Sequence, residues 1–234
     1  MNVQLLAHTP NPEQLVAASA KLCYSAASIA DLAAIEADKA AEFIDKLPEA
    51  HQSPFEHVSF TFGIEGVSRA MLAQITRHRI ASFSVQSQRY VDMGCFEYVT
   101  PPSISENKEI LTIYQYYMCI ESDAYLKIRR QLVHHHIGKG LSPKDAAKLA
   151  NEDARFVLPN ACETRMIVTM NARELLHFFS LRCCKRAQWE IRAVAEEMLR
   201  LCKEVAPEIF AKAGPGCVRG HCSEGKMGCE HGDA

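Results

Sequence analysis

A short stretch of the chain, Arg77 to Arg89 with the sequence RHRIASFSVQSQR, concentrates side chains that bind anions. It contains three arginines, one histidine, three serines and two glutamines, and no aspartate or glutamate. Arginine presents a planar fork of donors that matches phosphate or carboxylate, and hydroxyl and amide groups add donors that fix orientation. The stretch therefore predicts a site for a phosphorylated small molecule, with a solvated basic face as the alternative on spacing alone.

The composition limits the class of protein that can carry this site. The chain has 234 residues, 48% of them hydrophobic, and a formal net charge of -2, which is typical of one globular domain. A dedicated nucleic-acid binder usually carries a strongly basic excess, so no nucleic-acid partner is expected. The N-terminus lacks the pattern of a signal peptide, and no apolar run approaches the roughly 18 residues that span a membrane. We therefore expect a cytoplasmic protein without membrane contact.

Local patterns upstream of the stretch predict two strands and two helices. These are the strand Val3 to Ala7, a helix capped by Asn11 with Pro12 at its first position and ending near Cys23, the helix Asp31 to Leu47 ending at Pro48, and the strand Phe55 to Ile64. Alternate residues from Val58 to Ile64 are apolar and should face a core. Helical spacing from Val67 to His78 then places the RHR triplet at a helix end, where cations interact favourably with the helix dipole.

The elements downstream position the other candidate residues. If Phe83 to Tyr90 is extended, Ser87 and Arg89 share one face of the strand and can bind the same ligand. The remaining predicted elements are the helix Ser105 to His135, a helix capped by Ser142 with Arg155 in its last turn before Pro159, the strand Cys162 to Met170, a helix begun by a capping box of Asn171 and Glu174, and a last helix from Ala187 to about Lys212, kinked at Pro207. Together they predict a single α+β domain.

Two clusters carry residue types that bind metals. His134, His135 and His136 are adjacent on a helix, where neighbouring side chains point about 100° apart and cannot all reach one ion. The glycine-rich tail, residues 214–234, carries further possible ligands: Cys217, Cys222, Cys229, His221 and His231. Their C-x4-C-x6-C spacing is wider than zinc sites prefer, so a structural metal site and a loosely ordered extension remain the alternatives. We predict no metal site, a catalytic domain over residues 1–213, and reduced thiols at the other cysteines.

The motifs resemble those of one enzyme family. RHRIASFSVQSQR resembles the signature of the flavin-dependent thymidylate synthases, RHRxxS followed by SxR, and HQSPFEH at residues 51–57 resembles their H-x-[ST]-PFEH segment. Arg155 to Pro159, Asn171 to Arg173, the region of Arg182 and AQWEI at residues 187–191 follow in family order. Two positions depart from the common pattern, since Cys23 stands where some members have serine and Ser84 where most have asparagine.

The resemblance implies both an architecture and a reaction. The fold would be α+β, a mixed or antiparallel sheet flanked by helices, assembled as a homotetramer whose active sites are each built from more than one subunit. The reaction would be the reductive methylation of dUMP to dTMP. Methylenetetrahydrofolate would give the carbon, NADPH would give the hydride, and FAD would relay it.

The resemblance also implies which residues bind each ligand. The residues expected to bind FAD are Ser53, Arg77, His78, Arg79, Asn171, Arg173 and His177. The residues expected to bind dUMP are Gln74, Gln86, Ser87, Gln88, Arg89, Arg155 and Arg182. Arg89 and Arg155 suit the phosphate. Arg182 would be the catalytic residue, because a cation facing uracil stabilises the negative charge at N3 and O4 when C5 acts as a nucleophile.

No side chain is expected to act as a covalent nucleophile. Ser87 lies in no GxSxG elbow and has no signalled base, and neither Cys183 nor Cys184 has the sequence context of a catalytic cysteine. His51 would line the entry for folate or NADPH, and Glu56 would orient its loop. Two other classes remain open on the residues alone: a nucleotide-binding regulatory module and a nucleic-acid binder that uses the basic stretch.

Overall fold

The chain forms an antiparallel sheet and a set of helices, which confirms the α+β class. The computed structural model describes residues 1–47, 51–220, 222 and 224–229. The strands are β1 (Asn2–His8), β2 (Ser59–Ser68), β3 (Ala81–Val85) and β4 (Glu163–Asn171). They form a four-stranded sheet in the order β1-β2-β4-β3. The hydroxyls of Thr61 on β2 and Thr169 on β4 lie 2.9 Å apart and join the two central strands.

Helices connect and extend these strands. The α-helices are α1 (Pro12–Leu22), α2 (Ile29–Ala33), α3 (Ala37–Asp45), α4 (Arg69–Ile75), α5 (Pro102–Ser105), α6 (Lys108–Gly138), α7 (Pro143–Ala154), α8 (Ala172–Arg182) and α9 (Trp189–Val205). Short 3-10 helices cover Ser53–His57, Arg155–Val157, Gly216–Arg219 and Gly225–Met227. Within the described part of the chain, no helix has the length and apolar character needed to cross a membrane.

The chain is organised as two compact units. Unit 1 comprises Met1–Ile64, Gln74–Ser84 and Ile167–Ala234, and unit 2 comprises Glu65–Ala73 and Val85–Met166. In unit 1, Phe210 packs edge-on against Phe60 and Phe179, with ring centroids 5.4 and 5.9 Å apart. In unit 2, the fully buried Tyr125 packs against Met93. The Tyr125 hydroxyl accepts a 3.2 Å hydrogen bond from the backbone N–H of Met93. Each unit therefore has an apolar core of its own.

The structure confirms the predicted alternation of buried residues in β2 and the predicted starts of two helices, because these features depend on a few consecutive residues. Alternate residues from Val58 to Ile64 are buried, as the period-two pattern requires. Ser142 accepts a hydrogen bond from the Asp145 backbone at 3.2 Å and begins α7. Asn171 accepts one from the Glu174 backbone at 2.8 Å and begins α8, but this is only half of the predicted capping box, because the Glu174 side chain contacts His78 instead. Hydroxyl and amide oxygens satisfy the first free N–H groups of a helix, so these residues fix where each helix starts.

The predicted helix from Asp31 to Leu47 is wrong as a single element, because the chain forms α2 and α3 instead. Ser28 and Asp31 form a complete capping box, which starts α2 earlier than expected. The chain becomes extended at Glu36 before α3, and both short helices pack on α1. Alanine and glutamate favour helix throughout this region, so the break follows the packing against α1 rather than local propensity. Pro48, the predicted stop, lies outside the described residues.

The extended segment predicted from Phe83 to Tyr90 is also wrong beyond Val85, where β3 ends. The carbonyl of Ser87 accepts hydrogen bonds from the Tyr90 and Val91 backbones at 3.3 and 3.1 Å. The Ser87 hydroxyl accepts a further one from the Arg89 backbone at 3.3 Å. A serine that bonds the backbone two residues ahead favours a turn over a strand. Ser87 and Arg89 therefore do not share a strand face.

Other element boundaries differ from the prediction. Phe55 lies in a 3-10 helix, so the strand that follows starts at Ser59. Asn107 caps α6, so the long helix predicted from Ser105 to His135 begins instead at Lys108 and ends at Gly138. The last helix ends at Val205, two residues before Pro207, whose ring is incompatible with a helix interior. Asn11 precedes α1 in a left-handed conformation without a capping bond from its side chain.

Candidate functional site

A cavity of about 610 Å³ in unit 1 collects most of the residues expected to bind FAD. The segment after α4 and the helix α8 line it, together with two residues near the 3-10 helix Ser53–His57. The lining residues are Gln52, Glu56, Arg77, His78, Arg79, Ile80, Asn171, Arg173, Glu174, His177, Leu181 and Arg182. The RHR triplet lies just beyond the end of α4 rather than in its last turn.

The helix α8 presents several of these side chains on one face. Arg173 and His177 are four residues apart, so they project in the same direction, as the spacing predicts. Arg173 forms an ion pair with Glu56, which ties the start of α8 to the 3-10 helix. Asn171 is both the cap of α8 and a lining residue of the cavity. Ser53 is exposed and does not line the cavity, although its neighbour Gln52 does.

His78 lies at the centre of a buried polar chain in this cavity. Its Nδ1 lies 3.0 Å from Oε1 of Glu174, and its Nε2 accepts a 3.2 Å hydrogen bond from Nε of Arg182. Burial lowers the pKa of His78, and the charge of Arg182 lowers it further, while the carboxylate of Glu174 opposes both. Burial, followed by the charge of Arg77, also lowers the pKa of Arg182. Arg182 remains a cation, because a guanidinium does not lose its proton in proteins.

A second group of predicted residues lies in unit 2, around Glu152 of α7. Nε of Arg89 lies 2.7 Å from a carboxylate oxygen of Glu152. Nε of Arg155 donates to the backbone carbonyl of the same glutamate at 3.1 Å. The two arginines expected to hold a phosphate therefore contact the same glutamate, one at its carboxylate and the other at its backbone carbonyl. Asn151 adds a 3.3 Å hydrogen bond from its side chain to the Arg89 carbonyl and so fixes the backbone.

The other residues expected to bind dUMP have different surroundings. Gln88 is buried, and its amide nitrogen lies 3.7 Å from the sulfur of Cys162. The backbone of Gln86 donates to the Arg165 carbonyl at 3.0 Å, which continues the pairing of β3 with β4. Gln74 and Arg182 belong to unit 1, whereas Gln86 to Arg89 and Arg155 belong to unit 2.

Sequence reasoning missed part of the cavity. Gln52, Ile80 and Leu181 line it without carrying a chemical signal of their own. Glu174 was assigned only to the cap of α8, yet its Oε1 lies against His78. A signal for this contact was present, because Glu174 shares the buried stripe of α8 with Leu175 and Phe178. A buried carboxylate requires a donor or a cation as its partner.

The cysteine thiols include Cys183, which is buried and poorly suited to nucleophilic chemistry. All ten are free thiols within the described residues. Burial raises the pKa of Cys183 to about 12, so its sulfur stays protonated and unreactive at neutral pH. A cavity of about 160 Å³ in unit 1 is lined by Cys183, Cys184, Cys217, Cys222 and Cys229. Across the described part of the chain, no group of three or more His, Cys, Asp or Glu residues is placed to hold a metal ion. The possible ligands His221 and His231 lie outside the described residues.

Comparison with known proteins identifies the family of this chain. The family model described as "Thymidylate synthase complementing protein" matches residues 4–208. The flavin-dependent thymidylate synthase of Clostridium tetani is 50% identical over 98% of this chain and 93% of its own length. Those of Geobacter sulfurreducens and Nitratidesulfovibrio vulgaris are 52% and 51% identical, over 98% and 96% of this chain and 94% and 91% of their own lengths. The chain belongs to the flavin-dependent thymidylate synthase family.

Proposed function

We propose that this chain catalyses the reductive methylation of dUMP to dTMP without an enzyme nucleophile. Methylenetetrahydrofolate provides the carbon, and NADPH provides the hydride through FAD. Family membership supports the reaction. The observation that carries the proposal is the cavity of unit 1, where four arginines (Arg77, Arg79, Arg173 and Arg182) outnumber two carboxylates, Glu56 and Glu174. Such a concentration of cations in a slightly acidic protein suits phosphorylated ligands.

The residues of this cavity fit FAD. When bound, FAD supplies hydride transfer between NADPH and the one-carbon unit. Arginine forks match a diphosphate, and Asn171 adds an amide group at the start of α8. The set proposed to hold FAD is Ser53, Arg77, His78, Arg79, Asn171, Arg173 and His177. Ser53 lies beside the lining residue Gln52, at the edge of the set.

The residues proposed for dUMP divide by chemistry. Arg89 and Arg155 suit the phosphate, since Glu152 contacts both side chains and orients them before a ligand arrives. Arg182 faces the uracil and stabilises the negative charge that develops at N3 and O4. Gln74, Gln86, Ser87 and Gln88 supply uncharged donors and acceptors. His51 lines the entry for folate or NADPH; its Nδ1 lies 3.2 Å from the hydroxyl of Tyr24.

We further propose a homotetramer in the cytoplasm. The helix α6 exposes large apolar side chains in unit 2, with Ile113, Tyr116 and Tyr117 between 55% and 62% exposed. Apolar patches of this kind are typical of surfaces that a partner covers. Free thiols at all the described cysteines suit a reducing compartment. Native mass spectrometry measures the assembly, and a monomer at micromolar concentration would contradict it.

A flavin spectrum and a turnover assay test the reaction. The purified protein should be yellow, NADPH should bleach the flavin, and dTMP should form once dUMP and methylenetetrahydrofolate are added. A colourless protein that cannot be reconstituted with FAD would contradict the proposal. Binding of dUMP without FAD would favour a regulatory module. A steep salt dependence of DNA or RNA binding would favour the hypothesis that the protein binds nucleic acid.

Replacing Arg77 by alanine should weaken flavin retention. The guanidinium belongs to the cationic wall of the cavity, and a hydrogen bond to a charged group is worth about 1.5–3 kcal/mol, or roughly 10- to 150-fold in affinity. The FAD content after gel filtration and the Kd for added FAD measure the effect. Arg192→Ala is a matched control, because Arg192 pairs with Glu196 and does not line the cavity. An unchanged FAD content in Arg77→Ala would show that the triplet does not hold the flavin.

A further inference from the structure

Glu174, His78 and Arg182 form a continuous chain of hydrogen bonds in unit 1. Oε1 of Glu174 lies 3.0 Å from Nδ1 of His78, and Nε of Arg182 lies 3.2 Å from Nε2 of the same ring. The side chains of His78 and Glu174 are only 5% and 7% exposed. Water therefore competes little for these contacts, and each group depends on its protein partner.

The donors in this chain determine the tautomer of His78. An arginine Nε always carries a hydrogen, so Nε2 of His78 must offer its lone pair. The ring proton then lies on Nδ1 and is donated to the carboxylate of Glu174. The opposite tautomer would point two N–H groups at each other across 3.2 Å and would leave the buried carboxylate without its donor.

We propose that Glu174 is a positioning residue for catalysis, which acts through His78 on the Arg182 guanidinium. By holding the His78 proton on Nδ1 and fixing the ring plane, Glu174 presents Nε2 as an acceptor that orients Arg182. The inference rests on the proposed role of Arg182 at the uracil. Orientation matters there because a charge stabilises a developing anion only if it is in place before the reaction.

The packing around His78 supports this role. The ring meets Phe178 edge-on, with centroids 4.9 Å apart, and His177 edge-on at 6.1 Å. The charged or titratable groups that act on His78 are Glu174, Arg182 and His177, and Arg77 acts on Arg182. Burial lowers the pKa of His78, which favours the neutral ring that accepts from Nε of Arg182. Protonation at lower pH would remove the acceptor and place a second cation against Arg182.

Two substitutions of Glu174 test the proposal. Glu174→Ala should lower kcat for dTMP formation by about 10- to 100-fold, the scale known for the loss of a hydrogen-bond partner behind a metal-ligating side chain. The KM for dUMP should change by less than about threefold, since the proposed phosphate contacts of Arg89 and Arg155 remain, and kcat is compared at saturating FAD because His78 also belongs to the proposed FAD set. Glu174→Gln, which is isosteric, should move the acid limb of the kcat profile to lower pH, because the carboxylate that favours the protonated ring is gone.

A control and a double-mutant cycle separate positioning from folding. Leu175→Ala removes a fully buried neighbour on α8, so it should lower Tm without moving the acid limb. In an Arg182→Ala background, Glu174→Ala should cost less than about twofold, because its effect passes through Arg182. If the losses of kcat in Glu174→Ala and Arg182→Ala add in the double variant, the positioning role is overturned. An acid limb of the kcat profile that does not move in Glu174→Gln would also overturn it. Full activity of Glu174→Ala beside an inactive Arg182→Ala would overturn it while leaving the role of Arg182 intact. An active Arg182→Ala would overturn both.

Discussion

Replacing Arg182 by alanine is expected to cut the rate of dTMP formation by about 100- to 1,000-fold while NADPH still reduces the bound flavin. Removing one preorganised group that stabilises a developing anion typically has an effect of this size. Arg182 is partly buried at the end of α8 and is oriented by a 3.2 Å bond to His78, so its charge acts with limited screening by water. Single-turnover measurement of dTMP formation, beside stopped-flow reduction of the flavin, separates the two half-reactions.

A control substitution in unit 1 tests whether the loss of dTMP formation is specific to Arg182. Arg186→Ala removes a cation near the end of α8, where Arg186 pairs with Glu224 and does not line the cavity. It should leave both half-reactions near the level of the unmodified enzyme. Arg182→Lys retains the charge but loses the fork and the Nε contact, so an intermediate rate is expected. Equal loss of flavin reduction and dTMP formation in Arg182→Ala would contradict a charge that acts on uracil.

The sequence predicted the cavity better than it predicted the contacts inside it. The motif resemblance predicted that Arg77, Arg173 and His177 bind the same ligand, FAD, and all three line the same cavity. The contact between Glu174 and His78 joins residues 96 positions apart. The capping-box interpretation accounted for Glu174 locally, so its place on the buried stripe of α8 with Leu175 and Phe178 was overlooked. Pairings across such separations depend on tertiary packing, which local pattern does not encode.

The helix boundaries also differ in whether local sequence or distant packing determines them. The starts of α7 and α8 were predicted from Ser142 and Asn171 because capping is a property of a few consecutive residues. The division of the helix predicted from Asp31 to Leu47 depends on how α2 and α3 pack against α1. The turn at Ser87 had a local cause, the serine hydroxyl, which period-two alternation concealed.

The arginine-rich stretch is divided between the two units, and this division gives its parts different expected effects. Arg77 to Arg79 lie in unit 1 with α8, whereas Ser87 to Arg89 lie in unit 2 with α7. Substitution of the first group should therefore alter flavin retention, and substitution of the second should alter dUMP affinity. A solvated basic face would predict neither effect, because its side chains would have no fixed partners. The bond of Arg182 to His78 and the pairing of Arg89 with Glu152 argue against that alternative.

Arg89→Ala is expected to raise the KM for dUMP by about 100-fold without changing the FAD content. The free energy of a charge-assisted bond to phosphate, about 1.5–3 kcal/mol, sets the scale. Nε of Arg89 lies 2.7 Å from a carboxylate oxygen of Glu152, so this ion pair restricts part of the side-chain motion before dUMP binds. Binding of dUMP to the oxidised enzyme, followed by calorimetry, measures the affinity directly.

The phosphate itself provides the control for Arg89. Deoxyuridine carries the same base and sugar without the phosphate, so Arg89→Ala should weaken its binding by less than about threefold. Arg89→Lys keeps a point charge without the planar fork and should recover part of the lost affinity for dUMP. Glu152→Gln removes the carboxylate that competes for Arg89 but retains an acceptor for orientation. We therefore expect dUMP affinity to be maintained or increased in Glu152→Gln. Equal weakening of dUMP and deoxyuridine in Arg89→Ala would show that Arg89 supports the fold of unit 2 rather than the phosphate.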